Sequence, residues 1–302
     1  MTRKNDFVAL GFCSSDYLAV LPNIPMDSKV QMLEHLVQGG GPAATAAVAA
    51  SRLGWSAAFV GTVGDDAPGR TILADFAAEN VDSSAVLLRP GKRSPIAYCW
   101  VDAPTGKRSV AWTRGDLPEL EPAEIPAEMI AQARVLHLDG HQTAAALAAA
   151  KLAKEHGVMV NIDAGTLLPG LEELLEYVDI LITSAEIARQ LTGEDDPDRA
   201  LRKLGSIGAE VTGLTMGDTG SLVLAPDGGI LRCPAFKLDK VVDTTGAGDV
   251  YHAGFAVRYA ETRDRMESMR FASAVAAMKC TKLGGRTGIP TRAEVKKFLQ
   301  TH

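Results

Sequence analysis

The sequence predicts an α/β protein: a mainly parallel sheet with helices on both of its faces. From residue 135 on, short apolar runs alternate with longer segments of helical period. The first run, FVALGF at 7–12, has no polar face, as a strand buried between two helical layers requires. A third observation adds to this. Residues 81–88, 96–101 and 109–113 read as strands with no helix between them. This β-only patch cannot join the alternation and predicts a small separate sheet.

Composition bounds the class. The 302 residues are 46% hydrophobic and 23% charged, with a formal net charge of −6, values of an ordinary globular protein. The charge balance and the lack of a basic block argue against a nucleic-acid partner. Four cysteines, Cys13, Cys99, Cys233 and Cys280, are widely spaced with no C-x-x-C, which predicts reduced thiols and a cytoplasmic setting. The start, MTRKNDFVALGFCSSD, has too short an apolar run for a signal peptide, and no stretch approaches the ~20 apolar residues of a membrane span. No membrane partner is expected.

The elements follow in order. After the strand at 7–12, Asp16 lies just past its end, and ligands of open α/β sheets gather at the carboxyl ends of strands. Residues 29–37 read as a strand. Gln38-Gly39-Gly40-Gly41-Pro42 reads as a sharp break before the alanine helix AATAAVAASRLG, closed by Gly54. A strand at 57–60, a turn at 63–66 and a helix at 69–80 come next. The strands at 96–101 and 109–113 are joined by a turn at 102–108. Strands at 135–138, 158–162, 180–183, 211–216 and 221–225 then intersperse with helices at 143–156, 171–177, 186–191 and 197–204. Helices at 248–259, 266–280 and 292–299 complete the chain, with a loop at 282–290. The reading is one domain over 1–302, with the small sheet contributed by about 17–36 and 95–115.

The stretch that organises the chemistry is VVDTTGAGDVYHAGFA at 241–256. Val241 and Val242 read as the end of a strand. Gly246-Ala247-Gly248 turns the chain, and Asp249 stands in the first turn of a helix. The unpartnered N–H groups and positive dipole end of that turn suit a phosphate, and small residues let it approach. A carboxylate there is wrong for plain anion binding. It is right for a base that deprotonates an attacking hydroxyl. A plain cap would also explain an isolated GAGD. The second stretch, GGGPAATAAVAASRLG, places glycines before a helix start, as a small polar ligand needs, although tight packing alone can use the same residues. No GxGxxG follows the first strand and no GxxxxGK[ST] occurs, so dinucleotide and Walker-type sites are disfavoured.

Together DTTGAGD and GGGPAATAAVAA resemble the two signatures of the PfkB, or ribokinase-like, carbohydrate kinases, in the expected order over essentially the whole chain. With the tail AAMKCTKLGGRTGIP, they are most similar to 6-deoxy-6-sulfofructose kinases, and the Lys-Cys pair is also like that of ketohexokinases. The resemblance implies a ribokinase-like three-layer sandwich with a small β-sheet lid, and ATP-dependent phosphorylation of a sugar, a ketose or related polyol. It implies Asp249 as base, with Gly246, Ala247 and Gly248 as the anion hole. Asp16, Gly40, Gly41, Thr45 and Asp139 would line the sugar site, with Lys29 and Arg108 as candidate substrate cations. For Asp139, in LHLDG, a loop-capping role is the alternative. Ser184, Thr215, Gly217, Gly220, Ala276 and Cys280 would line the nucleotide site. Asp243, Thr245 and the loop after Cys280 match a region that binds a monovalent cation, K⁺, in some members. Mg²⁺ is expected with ATP, and a homodimer through the lid.

The departures are informative. Thr45 stands where the family often has Asn. Ser184-Ala185-Glu186 replaces the N-x-x-E motif that organises magnesium-bound water. Sulfofructose kinases hold the sulfonate with a Lys, an Asn and an Arg. Lys29 could match the first, but Trp112 and Gly140 stand near the other two, so sulfofructose is disfavoured. Arg108, Arg114, His137 and His141 are possible substitutes, and Arg114 reads as a surface charge. A nucleoside kinase, with Tyr98, Trp100 and Trp112 for base stacking, and a non-catalytic sugar sensor are the rival readings. The intact Asp249 counts against the sensor.

Overall fold

Ten strands form the main sheet in the computed structural model, which describes residues 5–165 and 169–302. The basic start at 1–4 lies outside the described residues. From one edge to the other, the order is Ile230–Cys233, Ser221–Leu224, Val211–Thr215, Ile180–Ser184, Met159–Asp163, Val135–Leu138, Phe7–Leu10, Ala57–Gly64 and Val81–Asp82. Val86–Arg89 pairs further along Ala57–Gly64. Pairing is parallel except at the edge formed by Ser221–Leu224 and its two neighbours.

The pleat divides the core into layers. Phe7, Ala9, Phe59, Ile180 and Ile182 pack under the helices Pro42–Arg52, Ala247–Thr262 and Arg265–Lys279. Val8, Leu10, Ala58, Val60 and Leu136 meet the Thr143–Glu155 helix on the other face. In Pro42–Arg52, every residue from Ala43 to Ala50 is buried, and the run of alanines lets the helix be enclosed on all sides. Proline sits at its first turn, where no N–H is needed.

A second, four-stranded sheet contains Glu34–Gly40, Ser14–Leu21, Ile96–Asp102 and Arg108–Thr113 in that order. Leu18, Ala97, Cys99 and Val101 form its inner face and pack on Leu283. This corrects several expectations. Asp16 lies inside the Ser14–Leu21 strand, not in a loop after the first strand. Gln38, Gly39 and Gly40 continue the next strand, which begins at Glu34, instead of breaking it. The antiparallel register Ser14↔Gly40 and Asp16↔Gln38 explains both, because ladder bonds override the turn preference of glycine. Val241 and Val242 form no strand. Val242 N–H instead donates to Cys280 O at 2.9 Å, tying the loop to a helix end. Residues 81–88 divide into two strands, joined by a turn at 83–85. The Ala127–Ala131 helix and the Ile230–Cys233 edge strand were not anticipated.

Candidate active site

The carboxyl ends of the parallel strands put the chemistry-bearing residues along one edge. Thr215 ends one strand, Ser184 the next and Asp163 the third, Asp139 follows the fourth, and Gly11 follows Phe7–Leu10. Four strand spacings, roughly 19 Å at ~4.8 Å each, separate the Thr215 strand from the Gly11 strand.

At the Thr215 end is a cleft of about 620 Å³. Thr215, Gly217, Gly220, Ala276 and Cys280, scattered in sequence, all line it, together with Ala247 and Gly248. Gly217 (φ +58°) opens a single turn with nothing within 4 Å of where a Cβ would stand. Gly220 (φ +111°) admits no side chain, because a Cβ would meet Cys233 O at 2.1 Å. Ser184 does not line the cleft. Its hydroxyl accepts from Ile187 N–H at 3.2 Å as a helix cap. Glu186 bonds Arg189 and Gln190 at the surface, so it is committed elsewhere.

Gly246 (φ +76°) begins the Ala247–Thr262 helix, and no side chain caps the first turn. Ala247 N–H donates to Thr244 O at 3.2 Å, while the space over Gly248 is open. A Cβ at Gly246 would lie 2.9 Å from Gly285 O, so the C-terminal loop packs directly behind the turn. Asp249 is raised to about 7, by burial first and the charge of Asp163 second. Arg108 reaches over from the small sheet, where its Nη1 donates to Thr244 Oγ1 at 3.3 Å. It therefore stands beside the loop that precedes Gly246.

Beneath the helix lies a polar set that the sequence reading left out, apart from His137. His137, Asn161 and Asp163 point from adjacent strands to the helix that carries Asp249 and His252. His252 Nε2 lies 3.3 Å from Asp163 Oδ1, and Asn161 Nδ2 lies 2.6 Å from His137 Nδ1. Burial lowers His137 to about 3 and His252 to about 4, so both imidazoles are neutral at pH 7. Burial, then Asp139, raises Asp163 to about 7. The signal was available: a polar pair, Asn161 and Asp163, within a strand buried on both faces.

At the other end stands Asp16, 6% exposed, with Ser14 Oγ donating to its Oδ1 at 2.5 Å. Burial raises its pKa, opposed by Ser14 and Arg286. Each glycine of the triplet answers to a different neighbour. Gly40 lies against the Asp16 carboxyl and Gly39 against Arg286, while Gly41 (φ +92°) faces Phe12 O. Thr45 is buried in the first turn of the helix that follows.

Two residues expected at this end have surroundings that the sequence did not show. Asp139 is buried with its oxygens engaged: Oδ2 accepts from Phe12 N–H at 2.8 Å and Ala43 N–H at 3.1 Å, and Oδ1 from His141 N–H at 3.0 Å. It holds the loop and the helix start, the alternative role. Lys29 is exposed in the loop at 22–33, between the Ser14–Leu21 and Glu34–Gly40 strands. Arg114 is not a free surface charge either. It donates to Glu119 Oε1 at 2.9 Å, and its Nη2 lies 2.6 Å from His141 Nδ1. Trp112 and His141 both pack on Phe12, with ring centroids at 5.5 and 5.0 Å. Tyr98 turns to the outer face and stacks on Tyr17.

Asp243 organises the loop before the Gly246-Ala247-Gly248 turn. Its Oδ1 accepts from Thr245 N–H at 2.8 Å and Thr245 Oγ1 at 2.7 Å, and its Oδ2 from Gly284 N–H at 2.8 Å. Its main-chain oxygen accepts from Lys279 Nζ at 2.8 Å.

A carboxylate in the first turn of a helix, beside a cleft of nucleotide size, is the arrangement that a phosphotransferase of the α/β class needs. Residues 5–292 match the pfkB family carbohydrate kinases, and the chain belongs to that family. It is 29% identical to a ribokinase of Haemophilus influenzae over 98% of this chain and 99% of that protein. It is 31% identical to fructokinase-1 of Zea mays over 93% and 94%. The ribokinase of Arabidopsis thaliana, solved with ribose and ATP, superposes with a TM-score of 0.85 at 25% identity, covering 98% of this chain and 99% of that one.

Proposed function

We propose that this carbohydrate kinase transfers the γ-phosphoryl group of ATP, taken as its magnesium complex, to a hydroxyl of an uncharged sugar, a ketose or related polyol. The observation that carries the reading is Asp249 in an uncapped first turn, with open space over Gly248 at the mouth of the 620 Å³ cleft. The nucleotide occupies the cleft along Thr215, Gly217, Gly220, Ala276 and Cys280. Its phosphates reach the Gly246-Ala247-Gly248 turn, and Arg108 adds charge beside Thr244. Asp249 accepts the proton of the sugar hydroxyl as the oxygen bonds to the γ-phosphorus. The bond to the bridging oxygen breaks and ADP leaves. N–H groups fixed before the reaction stabilise the charge without reorganisation.

Asp16 and the Gly40–Gly41 backbone hold the sugar, since an ionised carboxylate accepts from hydroxyls, each of which can donate. Trp112, Phe12 and His141 supply an apolar wall for a ring face. An uncharged acceptor is supported by the cations around this end: Lys29 is exposed on a loop, Arg114 is engaged, and Arg286 is buried under Gly39 and Gly40. A sulfonate or phosphate would lack the guanidinium fork it needs. The small sheet acts as a lid that closes over the sugar and excludes water. Its outer face, with Tyr98 and Val37 exposed, pairs with a second copy. The four buried free cysteines fit a reducing cytoplasm.

The test is a kinase screen over fructose, tagatose, ribose, their phosphates, sulfofructose and nucleosides. Highest kcat/KM on a free ketose is expected. Preference for a nucleoside would make Trp112 a base-stacking platform, and preference for sulfofructose would mean that the anion site is built from Arg114 and His141 after all.

A further inference from the structure

The monovalent-cation region beside the anion hole is occupied by the protein itself. Lys279 is the last residue of the Arg265–Lys279 helix and is fully buried. Its ammonium donates to the main-chain oxygen of Asp243. A cation held there would need oxygens of Asp243, yet both carboxylate oxygens already accept from Thr245 and Gly284, and the main-chain oxygen from Lys279. A K⁺ added among them would meet an ammonium of like charge at the same carbonyl. The donor set therefore does not suit a free monovalent ion.

We propose that the Lys279 ammonium is a built-in replacement for that ion, which fixes the 243–246 loop and leaves the enzyme independent of K⁺. The position favours a cation on two independent grounds. The carboxylate of Asp243 is fully buried and needs a counter-charge. The C-terminal end of a helix, where carbonyls lack partners, attracts positive charge. A tethered ammonium also has three donors and no loss of binding entropy to meet at each turnover. Lys279 acts through the loop: Asp243 fixes Thr245, the residue before Gly246, while Gly284 and Gly285 press the turn from behind. It is a positioning residue.

The inference rests on the kinase reading, so its test has one arm that reads turnover and one that does not. Turnover of the wild-type protein is compared in KCl and in tetramethylammonium chloride at equal ionic strength, where a change of less than about twofold is expected once screening is matched. Activation by K⁺ of roughly fivefold or more would overturn the proposal, whatever any variant does. Lys279→Met should lose roughly 10–100-fold in kcat, the worth of one charge-assisted hydrogen bond, with KM for sugar little changed. K⁺ or NH₄⁺ should restore much of it. The second arm is thermal unfolding without substrates. Addition of KCl in place of tetramethylammonium chloride should raise the midpoint of Lys279→Met and leave the wild type unmoved. A folded variant that neither salt rescues nor stabilises would show a merely structural lysine and overturn the proposal. Should no sugar be phosphorylated, the thermal arm still decides the cation question on its own.

Discussion

Gly40 stands so close to the carboxyl of Asp16 that a Cβ on it would lie 2.0 Å from Oδ2. The two residues sit on paired strands, at opposite sides of the Ser14↔Gly40 and Asp16↔Gln38 register. Gly40→Ala should therefore displace the carboxyl and raise KM for sugar, while ATP binding measured by calorimetry stays unchanged. Asp16→Ala should do the same more strongly, at roughly 1–3 kcal/mol for hydroxyls left unpaired, or more for a charged contact. Equal loss of ATP affinity in either folded variant would remove the pair from the sugar site.

Asp249→Asn keeps the shape of the side chain and cannot take a proton. Turnover should fall by roughly 10²–10⁴, with both substrates still bound. A variant within about threefold of the wild type, well short of a general-base effect, would assign the base elsewhere.

The pH profile should carry the mark of the carboxylate pair. Asp249 and Asp163 both stand at about 7, raised by burial. A base must be deprotonated to act, so kcat/KM should rise with pH through the neutral range. Asp163→Asn removes the negative charge that helps hold Asp249 up, so the acid limb should move to lower pH. The stability effect has the opposite sense. A carboxyl whose folded pKa exceeds its unfolded value binds its proton more tightly when folded, so its contribution is full below the unfolded value, near 3.8, and is lost as pH rises through about 7. Asp163→Asn should therefore flatten the decline in thermal midpoint between pH 5 and 8. An unmoved acid limb would separate Asp163 from the base.

Asp139→Asn should act on stability. It replaces a carboxylate acceptor of three N–H bonds with an amide that offers one oxygen and two donors. A loss of roughly 1–3 kcal/mol is expected in denaturant unfolding, with KM for sugar changed less than by Asp16→Ala. The reverse ranking would restore Asp139 to the sugar.

Gly248→Val places branches over the open turn. It should lower kcat more than sugar affinity, since the crowding falls on the phosphate side. Parallel losses in a folded protein would contradict an anion hole there.

The parallel core was legible because its strands are short apolar runs set between longer segments of helical period, so Val135–Leu138 was read to its ends. The glycine runs were legible as places of close approach, although the partners of Gly39, Gly40 and Gly41 come from distant segments. What escaped notice depends on long-range partners. Gln38–Gly40 looked like a break because three glycines run into a proline, yet a ladder with Ser14 and Asp16 holds them extended. Asp139 looked like a ligand for hydroxyls because its loop is at a strand end. Only the fold shows Phe12, Ala43 and His141 turning their N–H groups to it. Lys279 read as part of a Lys-Cys similarity, and nothing local reveals that its amine is buried against Asp243.

The division between the two sheets has a consequence for altering selectivity. Asp16, Gly40 and Trp112 lie on strands of the small sheet, whereas Asp249 and the Gly246-Ala247-Gly248 turn belong to a helix locked into the main core. On the proposed reading, substitutions in the small sheet should change which acceptor is taken while the transfer chemistry of the helix start stays intact.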